Sequence, residues 1–404
     1  MSFMLLWVDD PWVAAVAPRA AREAVEPGGG GHGNDVGLED LQANKAHSHT
    51  FPINSPSTLQ QIPPMSDSFK PYAALFAEPQ GPGDARPTAL QIIRDNELAN
   101  KWTDKVVLIT GGTSGLGTET ARALVATGAR VFITARDLKK AQGVVDGILK
   151  STEGDGKLEV IEMDMNSLES VKMAAQSFLS KSTTLNILVT NAGIMATPEG
   201  SKTADGFEQQ FGVNHLAHFA LTTLLLPVLV DSSTPTFNSR VIALTSAAHR
   251  YSSINWDDVN MTKSYDPWVS YGQSKTAVIW MANYIDRVYG PRGVHALSVH
   301  PGGSLTALHQ NVTPEMLAEW QKDTKMMASM VSPEQGAATS TWAATANVWE
   351  GRGGKYLSDC SVVGPAQDIM SILEPGYGPH VYDEEGENRL WALSCELTGV
   401  KTVE

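Results

Sequence analysis

The chain has 404 residues, with 30 Lys plus Arg against 44 Asp plus Glu, a formal net charge of −14 and a pI near 5.2, a balance that argues against nucleic acid as the main partner. With 42% apolar and 18% charged residues it is globular in composition and long enough for one large α/β domain with an extension, or for two ordinary domains. Its two cysteines, Cys360 and Cys395, have neither disulfide-framework nor zinc spacing, so the default expectation is a reducing, cytoplasmic compartment and no metal centre.

Residues 1–64 contain Gly28 to Gly31 and a Ser/Thr/Pro stretch from Asn54 to Pro64, and half of the 22 prolines fall before residue 88. Such a composition cannot bury enough apolar surface to offset its ordering entropy, so this extension is expected to be mostly disordered. The opening MSFMLLWVDD lacks a basic segment and meets two acids at Asp9 and Asp10, which argues against a secretion signal. Met65 begins MSDSFKPYAALF, which looks like a start of its own, and residues 65–100 read as an arm leading into the domain. Translation from Met65 is expected to give a functional protein.

From Lys105 onward short apolar runs alternate with helical periodicity, the pattern of repeated βαβ units. Strands are predicted at Lys105–Thr110, Arg130–Ala135, Leu158–Met163, Leu185–Thr190, Ser239–Thr245, Val294–Val299 and near Lys355–Leu357. The expected fold is α/β, a Rossmann-type doubly wound sheet of about seven parallel strands with helices on both faces, spanning residues 101–400. Phe219 to Val230 is too short to span a bilayer and reads as a buried core helix.

The first strand runs into Gly111-Gly112-Thr113-Ser114-Gly115-Leu116-Gly117 and then a helix stopped at Gly128. A strand, a glycine-rich turn and a helix N-terminus present free backbone N–H groups and the positive end of a dipole to a pyrophosphate. The second strand ends at Ala135, where a fold of this kind that prefers NAD carries a carboxylate, and Arg136 follows. A missing carboxylate beside a guanidinium suits a 2′-phosphate and hence NADP(H), with NAD(H) as the lesser candidate. The competing reading is a solvated Arg136 paired with Asp137.

Tyr271 and Lys275 lie four residues apart in a helical segment, on one face. A fixed cation nearby is expected to lower the tyrosine pKa toward working pH, as a general acid/base requires. Alone, a Tyr-x-x-x-Lys pairing arises often by chance; its weight comes from Ser246, which the fifth strand RVIALTS delivers to the carboxyl edge where ligands bind. His215 and His218 stand three apart with no metal-binding partner, and packing is the expected role.

Gly111, Gly115 and Gly117, then Asn191-Ala192-Gly193, Ser246, Tyr271, Lys275 and Pro301-Gly302 occur in the order seen in the short-chain dehydrogenase/reductase family, which the chain resembles over about residues 101–400. FGVNHLAHF (211–219), TSAAHR (245–250), GGKYLSDC (353–360) and SCELTG (394–399) are similar to its retinol-dehydrogenase and WW-domain-oxidoreductase-like branch. The resemblance implies that Tyr271 exchanges a proton with the substrate oxygen, that Ser246 holds that oxygen, that Lys275 binds the nicotinamide ribose and tunes Tyr271, and that Asn214 supports a proton-relay water. It further implies a cofactor cleft lined by Gly111, Thr113, Ser114, Gly115, Leu116, Gly117 and Arg136. Asp164 and Met165 would flank the adenine, Asn191, Ala192 and Gly193 the adenosine side, and Pro301, Gly302, Gly303 and Thr306, after His300, the nicotinamide carboxamide, leaving the pro-S face open for hydride transfer.

Two departures from that branch stand out: a Pro/Gly-rich extension replaces the usual hydrophobic anchor, and WW modules are missing. The expectation is therefore a soluble member of fungal type, without a membrane span. Residues 304–332, with Leu305, Leu308, Val312, Met316, Leu317, Trp320, Met326, Met327 and Met330, form the expected substrate lid, adaptable and apolar. The reading is an NADP(H)-dependent oxidoreductase interconverting an alcohol and a ketone or aldehyde on an apolar, polyketide- or terpenoid-like small molecule of secondary metabolism, and a homodimer is compatible with it. The alternative is an NADP(H)-binding sensor or scaffold with little turnover.

Overall fold

The computed structural model of the protein describes residues 67–401. The expected disordered extension and the Met65 start lie outside the described residues. After a short arm comes helix α1 (Ala89–Asp95), followed by β1 (Val106–Ile109), α2 (Gly115–Ala126), β2 (Arg130–Ala135), α3 (Leu138–Ser151), β3 (Lys157–Glu162), α4 (Leu168–Lys181) and β4 (Ile187–Thr190). A π-helical turn at Gly212–Leu216 leads into α5 (Ala217–Ser232), and β5 (Ser239–Leu244), α6 (Pro267–Tyr289) and β6 (Val294–His300) follow. The lid helices α7 (Pro314–Trp320) and α8 (Thr324–Ser329), then α9 (Ala338–Thr345), β7 (Lys355–Ser358), β8 (Ser361–Val362) and α10 (Glu384–Thr398) complete the chain.

The sheet has the order β3-β2-β1-β4-β5-β6-β7-β8, and every pairing from β3 to β7 is parallel. The seven predicted strands are all present, with ends that coincide or differ by at most two residues. The eighth, β8, is added antiparallel to β7 through Leu357↔Val362 and Ser358↔Ser361. Chain direction across the sheet reverses between β1 and β4, which opens a crevice at their carboxyl ends.

Strand alternation explains the layers. Val106 and Leu108 face one side, against α4, α5, α6 and Trp391 of α10; Val107 and Ile109 face the other, against α1, α2, α3 and α9. The stretch from Gln209 to Ser232 is long and apolar enough to cross a membrane by composition, yet 83% of its most apolar 18 residues are buried within the domain. Leu221, Leu225 and Leu229 sit in the first of these cores, so the apolar run is the expected core helix, identified by its burial because the full helix is longer than the run Phe219 to Val230.

The residues before the domain are part of its packing, since Ile92 and Ile93 of α1 are buried. Arg240 on β5, only 2% exposed, donates to the Ala344 carbonyl at 2.8 Å and to Glu350 at 2.9 Å, closing the C-terminus of α9. Removing one partner of a buried pair leaves a charge uncompensated. Glu350→Ala is expected to cost about 2–3 kcal/mol of unfolding free energy, somewhat below the figure for a fully enclosed pair because Glu350 is 24% exposed. Chemical denaturation should show a lower midpoint at unchanged slope, and an unchanged midpoint would mean that Arg240 needs no counter-charge.

Candidate active site

The carboxyl ends of β1, β4, β5 and β6 surround a cleft of about 750 Å³. All the residues assigned from sequence to cofactor binding line it, from Gly111 through Arg136, Asp164 and Gly193 to Thr306, together with Ser246, Tyr271 and Lys275. Asn214 is buried behind its wall.

The glycine-rich turn is built for close approach. A Cβ on Gly117 would stand 2.4 Å from the Gly111 carbonyl oxygen and 2.5 Å from Asn191 Nδ2, so only glycine lets α2 start this near β1. Ser114, the residue before α2, makes no side-chain cap, which leaves the first N–H groups of the helix open to the cleft. Thr110 Oγ1 accepts from the amides of Asn191 and Ala192, both at 2.9 Å, and Asn191 Nδ2 donates to the Thr110 carbonyl at 2.8 Å. The end of β4 thereby locks the turn.

With both amides donating to it, the Thr110 hydroxyl gives its own proton to His218 Nε2 at 2.8 Å; His218 Nδ1–H then donates to the Asn214 carbonyl, also at 2.8 Å. Burial holds His218 neutral, with its pKa lowered to about 4, which fits this tautomer. His215 is equally buried, and its Nε2 bonds Ser394 at 2.8 Å. These two histidines therefore pack and brace. Asn214 accepts from the Ile194 amide and donates to the Ile194 carbonyl and to Ser274, each at 2.9 Å. Its side chain is committed to protein partners, and one lone pair of its carbonyl already receives the His218 proton.

Ser246, two residues past the end of β5, caps the start of a 3₁₀ turn, Ala247–Tyr251. Gly272 lets α6 press on that turn, for a Cβ there would meet the Ala248 carbonyl at 2.6 Å. Asp266 caps α6 by accepting from the Trp268 and Val269 amides, and Pro267 opens the helix. Tyr271 and Lys275 are delivered to the cleft floor, with the Lys275 Nζ 5.6 Å from the Tyr271 ring centre and donating to the Leu244 carbonyl at 3.1 Å.

One electrostatic expectation is corrected. Burial pushes the Tyr271 phenol up to about 12, with a hydrogen bond to Ser246 pulling the other way, and burial pushes Lys275 down to about 8. In the protein alone desolvation of the phenolate outweighs the Ser246 hydrogen bond, and Tyr271 is a protonated phenol at neutral pH.

At the tip of β2, Arg136 is exposed, and no ion pair to Asp137 is found among the described residues. Asp137 instead caps α3 by accepting from the Lys140 amide at 2.9 Å. Lys140 also lines the cleft, a second cation that the strand-end pattern did not single out.

Beyond Tyr271 the cleft becomes apolar. Of the lid residues, Leu308, Trp320, Met326 and Met330 line it; Val312, Met316, Leu317 and Met327 pack into the cluster behind them, whereas Leu305 is 46% exposed. Sequence reasoning missed Tyr251, Trp268, Ile372 and Leu373, which line the same pocket. The last two come from a distant segment that Arg250 pins by donating to the carbonyls of Ser371 at 2.8 Å and Glu374 at 3.0 Å. Only the unabsorbed Arg250 of TSAAHR could have signalled it.

Comparison with known proteins agrees with this geometry. The short chain dehydrogenase family model matches residues 105–317. A short-chain dehydrogenase/reductase, prx1, of Penicillium roqueforti is 48% identical over 326 residues, covering 81% of this chain and 94% of that protein. Retinol dehydrogenase 12 of Mus musculus is 37% identical over 297 residues, covering 74% and 87%. Among solved structures, the RhlG/NADP active-site complex of Pseudomonas aeruginosa is 25% identical with a TM-score of 0.51, covering 63% of this chain and 94% of that one.

Proposed function

The chain belongs to the short-chain dehydrogenase/reductase family, in its retinol-dehydrogenase-like branch, and from that membership we propose that it interconverts an alcohol and a ketone or aldehyde on an apolar small molecule, with NADP(H) as hydride carrier and Tyr271 as the acid/base. It is an oxidoreductase of a family that uses a nicotinamide cofactor. The observation that carries the finer reading is the meeting of Ser246, Tyr271 and Lys275 where the glycine-rich turn gives way to the apolar pocket.

The residues present fit a dinucleotide. The uncapped N-terminus of α2 suits the pyrophosphate, Asp164 the adenine, Arg136 and Lys140 a 2′-phosphate, Lys275 the ribose, and the turn from Pro301 to Gly303 with Thr306 the carboxamide. When bound, the nicotinamide supplies the hydride in reduction and takes it up in oxidation. The chain does the rest: Ser246 holds the carbonyl oxygen, and Tyr271, kept protonated by burial, donates its proton as that oxygen gains charge. A protonated phenol is the form that the reduction direction requires at the start of the cycle. Asn214 braces Ile194 and the Tyr271 helix through Ser274, whose hydroxyl donates to the Tyr271 carbonyl at 2.7 Å.

NADPH binding followed by NADPH oxidation with a panel of apolar aldehydes and ketones tests the proposal; tight binding with no turnover across a broad panel would favour a sensor instead. Lys275 adds a pH signature. Its ammonium, at about 8 after burial, is charged below that pH and loses its proton as pH rises through it. NADPH affinity should hold up to about pH 7 and fall at least about tenfold by roughly pH 10, the loss of one charge-assisted hydrogen bond. Fluorescence titration of wild type against Lys275→Met checks this, with the variant weak and flat; a flat wild-type profile would remove Lys275 from the cofactor contacts.

A further inference from the structure

Arg86, in the arm ahead of the domain, is a charged residue only 5% exposed, and its partners are far away in sequence. Its guanidinium donates to the carbonyls of Ser329 at 2.7 Å, Met330 at 2.6 Å and Ala328 at 3.3 Å, and to Gly81 of its own arm at 3.1 Å. Asp84 holds it in place, accepting from Nε at 2.9 Å and from the Arg86 amide at 3.0 Å. Gln335 locks the same arm from the other side. Its Nε2 donates to Asp84 Oδ1 at 3.0 Å and to the Arg86 carbonyl at 3.1 Å, while its Oε1 accepts from the Gly83 amide at 2.9 Å.

The three distant carbonyls belong to the last turn of α8 and the residue after it, where a helix leaves its C=O groups without internal partners. A fixed cation there satisfies them and complements the negative end of the helix dipole. This is also where the lid rejoins the nicotinamide turn, because the Val331 amide donates to the Gly303 carbonyl at 2.8 Å. Ser329 and Met330 line the cleft, and the Met330 sulfur lies 2.8 Å from where a Cβ on Gly303 would stand.

We propose that Arg86 is a positioning residue for substrate: the arm, through Arg86, clamps the C-terminal end of lid helix α8 and sets Met330 against the turn from Pro301 to Gly303. The clamp gives the lid one resting position, so the apolar pocket exists before substrate arrives, and the substrate need not supply the ordering free energy itself. The lid wall of the pocket is then held from behind by an arm that itself lines none of it and lies outside residues 105–317, the part matched by the family. The catalytic consequence rests on the oxidoreductase reading given above; the clamp does not.

The test uses the full chain carrying Arg86→Gln, with Asp84→Asn and Arg86→Lys as milder variants should the first fail to fold. Hydrogen exchange of the amides of residues 324–331 is compared with that of β4 to β6, because a local clamp and global stability affect different amides. The expected result is lid exchange at least tenfold faster, with sheet amides and NADPH affinity within twofold of wild type and smaller shifts in the same direction for the milder variants. With an aldehyde or ketone that wild type reduces, KM should rise at least fivefold while kcat changes less. Lid exchange within twofold of wild type would overturn the proposal, and so would sheet and lid amides accelerating together, which would make Arg86 a residue of general stability. Exchange needs no turnover; failure of wild type to reduce any carbonyl would count against the oxidoreductase reading while the clamp was still decided by exchange.

Discussion

Replacing Tyr271 with phenylalanine is expected to lower turnover by about 10²–10⁴-fold, the range over which a positioned general acid contributes, and to leave NADPH affinity nearly unchanged. The ring itself packs among Trp268, Met195 and Met326, so phenylalanine keeps the volume and the apolar contacts and removes only the hydroxyl. Because the phenol is pushed up to about 12, it is protonated over the whole working range, and the loss in the reduction direction should not vary with pH below that of Lys275. An equal fall in kcat and kcat/KM is the pattern for an interaction made only in the transition state. A variant that turned over at the wild-type rate would take Tyr271 out of the mechanism and leave Ser246 and Lys275 as a binding site.

The difference between what the sequence disclosed and what it withheld has a physical origin. The βαβ pattern and the site motifs are local: each strand is four to seven residues of apolar run, and Gly117 or Ser246 carries its meaning within a turn of its strand end. The eighth strand escaped because it is only two residues long and follows a turn at Asp359 and Cys360, both with positive φ, 55° and 49°. Such a two-residue turn ordinarily announces itself with Asn-Gly or Asp-Gly, and a buried Cys360 in its place gives no turn signal. The misjudged tyrosine pKa has a related cause, since helical spacing sets direction on a face while depth of burial depends on what the rest of the chain lays over it. The same holds for the pocket. Ile372 and Leu373 reach it through Arg250, and Met330 is held through Arg86, two long-range cations whose partners are backbone carbonyls, and a carbonyl has no letter in a sequence.

Cofactor choice offers the second large effect, in the double variant Arg136→Ala, Lys140→Ala. Both side chains border the cleft at the end of β2, where Ala135 replaces the carboxylate that would hold a ribose hydroxyl. Each charge-assisted hydrogen bond to a phosphate oxygen contributes about 1.5–3 kcal/mol, so the pair should lower NADPH affinity by about 10²–10⁴-fold. NADH has no 2′-phosphate, and its affinity should change by no more than about threefold. The two cations matter more here than they would on a basic protein, because a chain of net charge −14 repels an anionic ligand at long range and must recover the loss through contacts. Equal losses for NADPH and NADH would place these side chains on the pyrophosphate or in the fold itself. A wild type that preferred NADH from the start would overturn the NADP(H) assignment, and Arg136 and Lys140 would then be solvated charges at a strand end. The single variants separate the contributions: both side chains are exposed, but Lys140 sits on the first turn of a helix capped by Asp137, a fixed backbone position, whereas Arg136 lies in the link between β2 and that helix. Lys140→Ala should therefore cost at least as much as Arg136→Ala, despite the better geometric match of a guanidinium to phosphate.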